Sequence, residues 1–194
     1  QFNVNLETSS SFDIDLIQNL FKENKLDTDI KLVHNGYKTD DYIRRIIKLQ
    51  DVGFEDSIIV LDNKNELKKI TAASNGRKVK IGIRKAIDEE PQSAYYTSRL
   101  GIRASEIVDF YRNNIKGKEN LELTMLHFFV DSGIKDTLYY WGEFQKSIKL
   151  YVELKKECPS LTSVNLGGGF PIRNHLGFEY DYEYMIREIV QYIK

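Results

Sequence analysis

The chain has 194 residues, of which 41% are hydrophobic and 29% are charged, so it is long enough to form one domain with a sizeable core. Its net charge of −1 and its dispersed lysines and arginines give no electrostatic reason to expect a nucleic acid or a membrane surface as a partner. Cys158 is the only cysteine, which excludes an internal disulfide and a multi-cysteine metal site and favours a reducing, cytoplasmic location.

Short apolar runs alternate with longer amphipathic segments, which predicts a strand followed by a helix in each unit of the chain. The first two strands are expected at 2–6 and 30–33. Ser10 and Asp13 have the spacing of a capping box at the start of the first helix, and Thr39 is the expected N-cap of the second. Both helices carry apolar residues at spacings of three and four, so each presents one apolar face.

The third strand is predicted at 57–61, because an uninterrupted apolar run is typical of a strand in a buried parallel sheet. Asn63 and Glu66 form a further capping pair before the third helix. A fourth strand is expected at 79–83, and an irregular stretch follows it. The next helix has three residues on one face: Ile107, Phe110 and Tyr111.

The last two units follow the same pattern. A strand at 121–130 precedes the longest helix, which ends near Cys158 and Pro159. That helix has six apolar residues at spacings of three and four: Leu138, Trp141, Phe144, Ile148, Tyr151 and Leu154. A sixth strand is expected at 161–166, before a final helix capped by Asp181. Three residues of the final helix share a face: Met185, Ile189 and Ile193.

Six βα units in succession favour an α/β fold in the form of a partial (β/α)8 barrel of the TIM type, with residues 1–194 as a single domain. A doubly wound sheet is the alternative, because the same alternation of strands and helices can build it. Six units are two fewer than a complete barrel needs.

Three consecutive glycines, Gly167, Gly168 and Gly169, directly follow the sixth predicted strand. Glycine adopts positive φ angles at little cost, and a backbone without Cβ atoms can bring several N–H groups to one phosphate. In α/β barrels the carboxyl ends of the strands carry the binding site. The tripeptide alone is equally consistent with a tight turn and with a phosphate loop.

Polar residues also stand at the other predicted strand ends, at Glu7, 34–38, Arg84 and 131–133. Taken singly, such residues are more simply explained as capping and turn chemistry. Ser132 is a stronger candidate, because its hydroxyl can join the glycine N–H groups as a phosphate donor from the neighbouring unit.

These strand-end segments, in this order, resemble the fold-type III decarboxylases that use pyridoxal phosphate, and among them the biosynthetic arginine decarboxylases. Residues 6–10 are similar to the family's L-E-x-x-S strand end, and residues 35–38 to its N-G-Y-K motif. Residues 80–84, 98–102, 126–132 and 167–169 continue the similarity over nearly the whole chain. The resemblance implies a barrel of the alanine racemase-like type.

The resemblance also implies roles for particular residues. Four of them would hold the cofactor phosphate: Gly167, Gly168, Gly169 and Ser132. Glu7 would lie near the substituted face of the cofactor ring, and Arg99 would approach its phenolic oxygen. Arg84 would support the site from the fourth strand. Pyridoxal phosphate is therefore the expected cofactor, and magnesium stays open as a second one.

Two positions depart from the family pattern. Phe129 stands where the family has a histidine that stacks on the cofactor ring, so a stacking face is kept while a titratable group is lost. Asp131 replaces a small glycine close to the phosphate. His127 matches an earlier family histidine, and a buried core histidine is its favoured interpretation. The three histidines are too widely separated to predict a zinc centre.

The resemblance implies that the lysine that binds the cofactor covalently lies on a strand before Gln1, and that an acidic residue and a β domain follow the last residue. We therefore expect an internal barrel fragment of a larger homo-oligomeric enzyme, with no catalytic residue in this chain and no activity by itself. The whole enzyme would convert L-arginine to agmatine and CO2 in polyamine biosynthesis. The alternatives are a decarboxylase for diaminopimelate or another amino acid, and a regulatory barrel without catalysis.

Overall fold

The computed structural model describes residues 4–87, 100–130, 137–168, 170 and 179–194. Within them strands and helices alternate throughout. The elements in chain order are β1 (Leu6–Thr8), α1 (Ser11–Lys22), β2 (Leu32–His34), α2 (Asp40–Asp51), β3 (Ser57–Leu61), α3 (Lys64–Ser74), β4 (Val79–Arg84), α4 (Ala104–Asn114), β5 (Leu121–His127), α5 (Thr137–Glu157), β6 (Ser163–Asn165) and α6 (Tyr182–Ile193).

The six strands form one parallel sheet in the order β1-β2-β3-β4-β5-β6. This sequential order is the order of a barrel, whereas a doubly wound sheet reverses its strand order near the middle. The sheet is also curled, because the side chain of Glu7 in β1 accepts a hydrogen bond from Asn165 in β6. The predicted partial (β/α)8 barrel is confirmed, and the doubly wound alternative is excluded.

The third strand has its predicted bounds, Ser57–Leu61, whereas other strands end elsewhere because a strand lasts only as long as its neighbour pairs with it. The fifth strand was expected to reach residue 130 but ends at His127, which pairs with Asn165 at the end of β6. The first strand lies at Leu6–Thr8 rather than at 2–6, since its ladder begins where Leu6 meets Leu32. Residues 1–3 lie outside the described part of the chain.

The predicted helix caps are confirmed with one exception. Ser10 N donates to Asp13 at 2.9 Å, Tyr42 N donates to Thr39 Oγ1 at 3.2 Å, and Tyr184 N donates to Asp181 Oδ1 at 2.8 Å. Asn63 Oδ1 caps α3 by accepting from Asn65 N and Glu66 N. Glu66 does not complete a capping box, because its carboxylate accepts from the backbone N–H groups of Lys38 and Asp62 instead.

The main hydrophobic core lies between the outer face of the sheet and the helices, and a second cluster joins β5 to α5 and α6 through Phe128, Phe144 and Met185. Leu138 and Ile193 were expected on buried helix faces but are 85% and 50% exposed, because they lie in the end turns of their helices. In the segments that the structure describes, we find no helix with the length and apolarity needed to span a bilayer.

Candidate functional site

Polar side chains gather on the inner face of the curled sheet at the carboxyl ends of its strands. The inner face is identified by a small apolar cluster: Val33, Ile58, Val60 and Met125. Register and strand alternation extend this face upward to six residues, which we call the inner ring: Glu7, Asn35, Asp62, Arg84, His127 and Asn165. Every strand therefore contributes one polar side chain to the same end of the sheet.

Glu7 connects the first, second and last strands. Its Oε1 accepts from Asn35 Nδ2 at 2.6 Å, and its Oε2 accepts from Asn165 Nδ2 at 2.9 Å. Asn35 is buried, whereas Glu7 itself remains exposed. The carboxylate is thus held by two neutral donors while one side of it stays open to solvent and to any bound molecule.

Asn165 also shapes the glycine loop. Its Oδ1 accepts from Gly167 N at 2.8 Å, and Gly167 has a φ of 69°. A Cβ atom on Gly167 would lie 2.8 Å from Phe129 Cδ2, so only glycine fits there. Among the described residues, a Cβ on Gly168 would meet only Phe129, at 3.9 Å. The loop therefore has its turn at Gly167, and the described part of the chain leaves space for a ligand at Gly168, next to the Phe129 ring.

Arg84 lies at the end of β4 and contacts Phe129. The Cζ atom of its guanidinium is 5.6 Å from the centroid of the Phe129 ring, within the range of a cation–π interaction. Nη1 of the same guanidinium is 3.6 Å from Asp62 Oδ1. The positive charge of the inner ring is thus placed between an aromatic ring and a buried carboxylate.

His127 is buried and lies beside Arg84 and Asn165 in the sheet. Its Nδ1 is 3.2 Å from the backbone oxygen of Asn165. A carbonyl oxygen only accepts, so Nδ1 carries the proton in this contact. Burial lowers the pKa of His127, and the Arg84 charge lowers it further, so the imidazole is neutral at pH 7. The structure agrees with the interpretation of His127 as a buried histidine.

A second polar layer lies behind β2. Thr8 Oγ1 is 2.7 Å from His34 Nδ1 and 2.6 Å from the Tyr42 hydroxyl. Burial, together with the nearby Lys38 charge, lowers the pKa of His34 to about 3. Lys38 is fully buried, donates to Gly36 O at 2.5 Å and lies 3.7 Å from Glu66 Oε2. Burial lowers the pKa of Lys38, against the opposing effect of the Glu66 carboxylate. These groups support the strand ends and do not line the open side.

The structure brings together those residues of the predicted site that it describes: Glu7, Arg84, Phe129, Gly167 and Gly168. Gly169, Ser132 and Arg99 lie outside the described residues, as does Asp131. Sequence reasoning missed Asn165 and Asp62. The signal for Asn165 was its position before three glycines, because asparagine commonly accepts from a backbone N–H two residues on. The signal for Asp62 was a charged residue directly after a fully apolar strand.

Comparisons with known proteins identify relatives of the chain. The family model described as pyridoxal-dependent decarboxylase, pyridoxal binding domain, matches residues 4–194. A biosynthetic arginine decarboxylase of Prochlorococcus marinus is 29% identical over 157 residues, which are 77% of this chain and 23% of that protein. A biosynthetic arginine decarboxylase of Citrifermentans bemidjiense is 27% identical over 189 residues, 93% of this chain and 28% of that protein.

The fold is shared with solved structures. The crystal structure of lysine decarboxylase from Selenomonas ruminantium superposes with a TM-score of 0.75 at 18% identity, covering 97% of this chain and 46% of that one. At this identity the likeness concerns the fold alone. The chain spans about a quarter of the length of the curated relatives named above.

Proposed function

The chain belongs to the pyridoxal-dependent decarboxylase family, as part of its pyridoxal binding domain, and from this premise we propose that the intact protein is a pyridoxal phosphate-dependent amino-acid decarboxylase, a carboxy-lyase. One observation of the structure carries the proposal. The inner ring and the glycine loop meet at the carboxyl end of a curled parallel sheet, where barrels of this kind bind their ligands. When bound, pyridoxal phosphate supplies an electron sink for the charge left by departing CO2.

The resemblance of the strand-end segments to the family supports the following assignment of the residues that would hold the cofactor. Gly168 and Gly169, with Gly167 as the turn residue and Ser132 as a hydroxyl donor, would bind the phosphate. The open space beside Gly168 supports this assignment. Phe129 would stack on the cofactor ring with Arg84 behind it, and the exposed Glu7 would face the substituted side of the ring. Arg99 would approach the phenolic oxygen.

We propose L-arginine as the substrate, with agmatine and CO2 as products and polyamine biosynthesis as the metabolic role. The support is the name shared by the relatives that match most of this chain at 27% and 29% identity. Diaminopimelate or another amino acid is the competing substrate, since solved structures of several decarboxylases share the fold.

The intact protein would be longer than this chain and would act as a homo-oligomer. This part of the proposal rests on the share of the curated relatives that the chain spans, 23% and 28% of their lengths. The lysine that binds the cofactor covalently, and the acidic partner of the pyridine nitrogen, would then belong to the remainder of the protein.

The experiment adds pyridoxal phosphate to the intact protein and divides the sample: one portion is reduced with borohydride to trap a lysine adduct, and the unreduced portion is assayed for CO2 and amine release from L-arginine and from diaminopimelate. We expect a visible absorbance band before reduction, one stoichiometric lysine adduct after it, and agmatine from arginine. CO2 from diaminopimelate alone would show that the substrate is wrong. A protein with no absorbance band and no adduct at saturating cofactor would instead be a regulatory barrel without catalysis.

A further inference from the structure

Asp62, directly after β3, is a buried carboxylate whose role no motif explains. The residue is 1% exposed, and neither of its carboxylate oxygens has a hydrogen-bond partner among the residues that the structure describes. An ionised carboxylate without compensation is costly to bury. Among the described residues it forms an ion pair with Arg84, at 3.6 Å, which is longer than a hydrogen bond. Lys38, whose pKa the Asp62 charge raises, is a second nearby cation, but its own ion pair is with Glu66. Arg84 is therefore the cation with which Asp62 pairs in the described part of the chain.

The backbone holds Asp62 and Arg84 at a fixed separation. Asp62 N donates to Glu66 Oε2 at 2.8 Å, and Asp62 O accepts from Gly101 N at 2.7 Å. Arg84 O accepts from Ile102 N, also at 2.7 Å. Two consecutive residues, Gly101 and Ile102, thus tie the ends of β3 and β4 together. Because these hydrogen bonds hold the backbone of Asp62 in place, its carboxylate can hold the Arg84 side chain in one position.

Arg84 in turn contacts the surface that would receive the cofactor ring. Its guanidinium lies against Phe129, and Phe129 packs against the backbone of Gly167. An arginine side chain loses considerable rotamer freedom when it is held in one position. The buried negative charge of Asp62 offsets that loss and favours the one arrangement in which the guanidinium is beside the ring.

We propose that Asp62 is a positioning residue that holds the Arg84 guanidinium against Phe129, so that Arg84 and Phe129 form one preorganised platform for the aromatic ring of the ligand. The proposal deepens the function proposed above and rests on it. Asp62 does not touch the ligand in this scheme and acts only through Arg84.

A purely electrostatic role for Asp62 makes a different prediction. If the carboxylate only reduced the positive charge of the site, its removal would strengthen the binding of every anion. If it positions the platform, its removal weakens only ligands that carry an aromatic ring. Pyridoxamine phosphate and inorganic phosphate separate the two roles, because both are anions, only one has a ring, and neither can condense with a lysine.

The experiment measures the affinity of the intact protein for both probes by calorimetry in Asp62→Asn, Arg84→Met and the double variant. We expect Asp62→Asn to weaken pyridoxamine phosphate about tenfold, as is typical of coupled neighbours, and to leave inorganic phosphate unchanged. In the Arg84→Met background the same change should have no further effect. Asp56→Asn is the matched control, because Asp56 pairs with Lys80 at 2.9 Å at the opposite end of the same two strands.

The proposal is overturned if Asp62→Asn strengthens both probes, or if its loss adds to that of Arg84→Met. Should Asp62→Asn not fold, Arg84→Lys provides the second test, because it keeps a cation for Asp62 but lacks the planar group that packs on Phe129. Arg84→Lys should weaken pyridoxamine phosphate, and wild-type affinity in that variant would contradict the proposal. Failure of the proposed function has a separate signature, namely wild-type protein that does not bind pyridoxamine phosphate.

Discussion

The side chain of Asn165 donates one hydrogen bond and accepts another. Its amide nitrogen donates to Glu7 across the curled sheet, and its amide oxygen accepts from Gly167 N. Both contacts use the same orientation of the amide group, so the two hydrogen bonds support each other. The position of the exposed carboxylate and the turn of the glycine loop therefore depend on one another.

The two described glycines of the loop differ in a way that a substitution can test. We expect Gly168→Val to weaken the binding of pyridoxal phosphate about tenfold with little change in stability, because Gly168 has no positive φ and, in the described part of the chain, a Cβ there meets only Phe129 at 3.9 Å. Gly167→Val should instead destabilise the fold by about 2 kcal/mol or more, because it combines a positive φ with a clash. Cofactor titration and urea unfolding of the intact protein measure both effects. Equal losses of stability would contradict the distinction.

The sequence alone was enough to identify those site residues whose type and position mark them as polar residues or glycines at strand ends. Glu7, Arg84 and the glycines stand at the ends of apolar runs, and such positions are readable without coordinates. Asp62 was not found, because a charged residue directly after an apolar strand is also an ordinary turn or capping residue. The sequence does not show that this carboxylate is buried without a hydrogen-bond partner among the described residues.

Helix starts were easier to predict than strand ends, for a physical reason. A cap such as Thr39 or Asp181 binds a backbone N–H three residues away, so the whole signal lies in the local sequence. A strand end depends on the neighbour with which it pairs, as His127 depends on Asn165. Glu66 shows that a capping box predicted from local sequence can fail to form. Its carboxylate accepts instead from the buried backbone N–H groups of Lys38 and Asp62.

The packing of α2 against β1 and β2 predicts a pH dependence through His34. Its pKa is about 3 in the fold against 6.5 when unfolded, so the unfolded chain binds a proton that the folded chain does not. This contribution is fully present above pH 6.5 and is lost as the pH falls from 6.5 towards 3, by up to about 1.4 kcal/mol per pH unit.

The measurement is urea unfolding of the intact protein between pH 7 and pH 5, for wild type and for His34→Leu. The wild type should lose about 2 kcal/mol more than the variant over this range, because leucine removes the titrating group and leaves the Thr8–Tyr42 contact in place. His127 titrates in both proteins and cancels in the comparison. Parallel pH curves would show that the pKa of His34 is not lowered in the fold.

The order of the strands could be read from the chain, whereas the closeness of its first and last strands could not. Repeated βα units predict sequential parallel strands, and the sheet has them. The contact between Glu7 and Asn165, 158 residues apart, depends on how strongly the sheet curls, and no local pattern encodes the curl. That contact brings the inner ring together, so the site is a property of the whole sheet.

The lysines near the strand ends predict how residues 1–194 behave by themselves. Two buried lysines lie near the carboxyl ends of the strands in the described part of the chain, and both amino groups have hydrogen-bond partners. Lys38 donates to Gly36 O and lies 3.7 Å from Glu66, and Lys85 donates to Glu143 Oε2 at 2.7 Å. Neither amine is available to bind a cofactor aldehyde as a free nucleophile.

We therefore expect the chain alone, given pyridoxal phosphate and L-arginine, to bind the cofactor weakly and to form no agmatine above background. The weak affinity would come from the glycine loop, which needs no lysine, and Gly168→Val should reduce it further. The intact protein is the positive control under the same conditions. A stoichiometric borohydride adduct on one lysine of the chain, together with CO2 release from arginine, would show that the catalytic lysine is present in these residues and that the site is complete without the remainder of the protein.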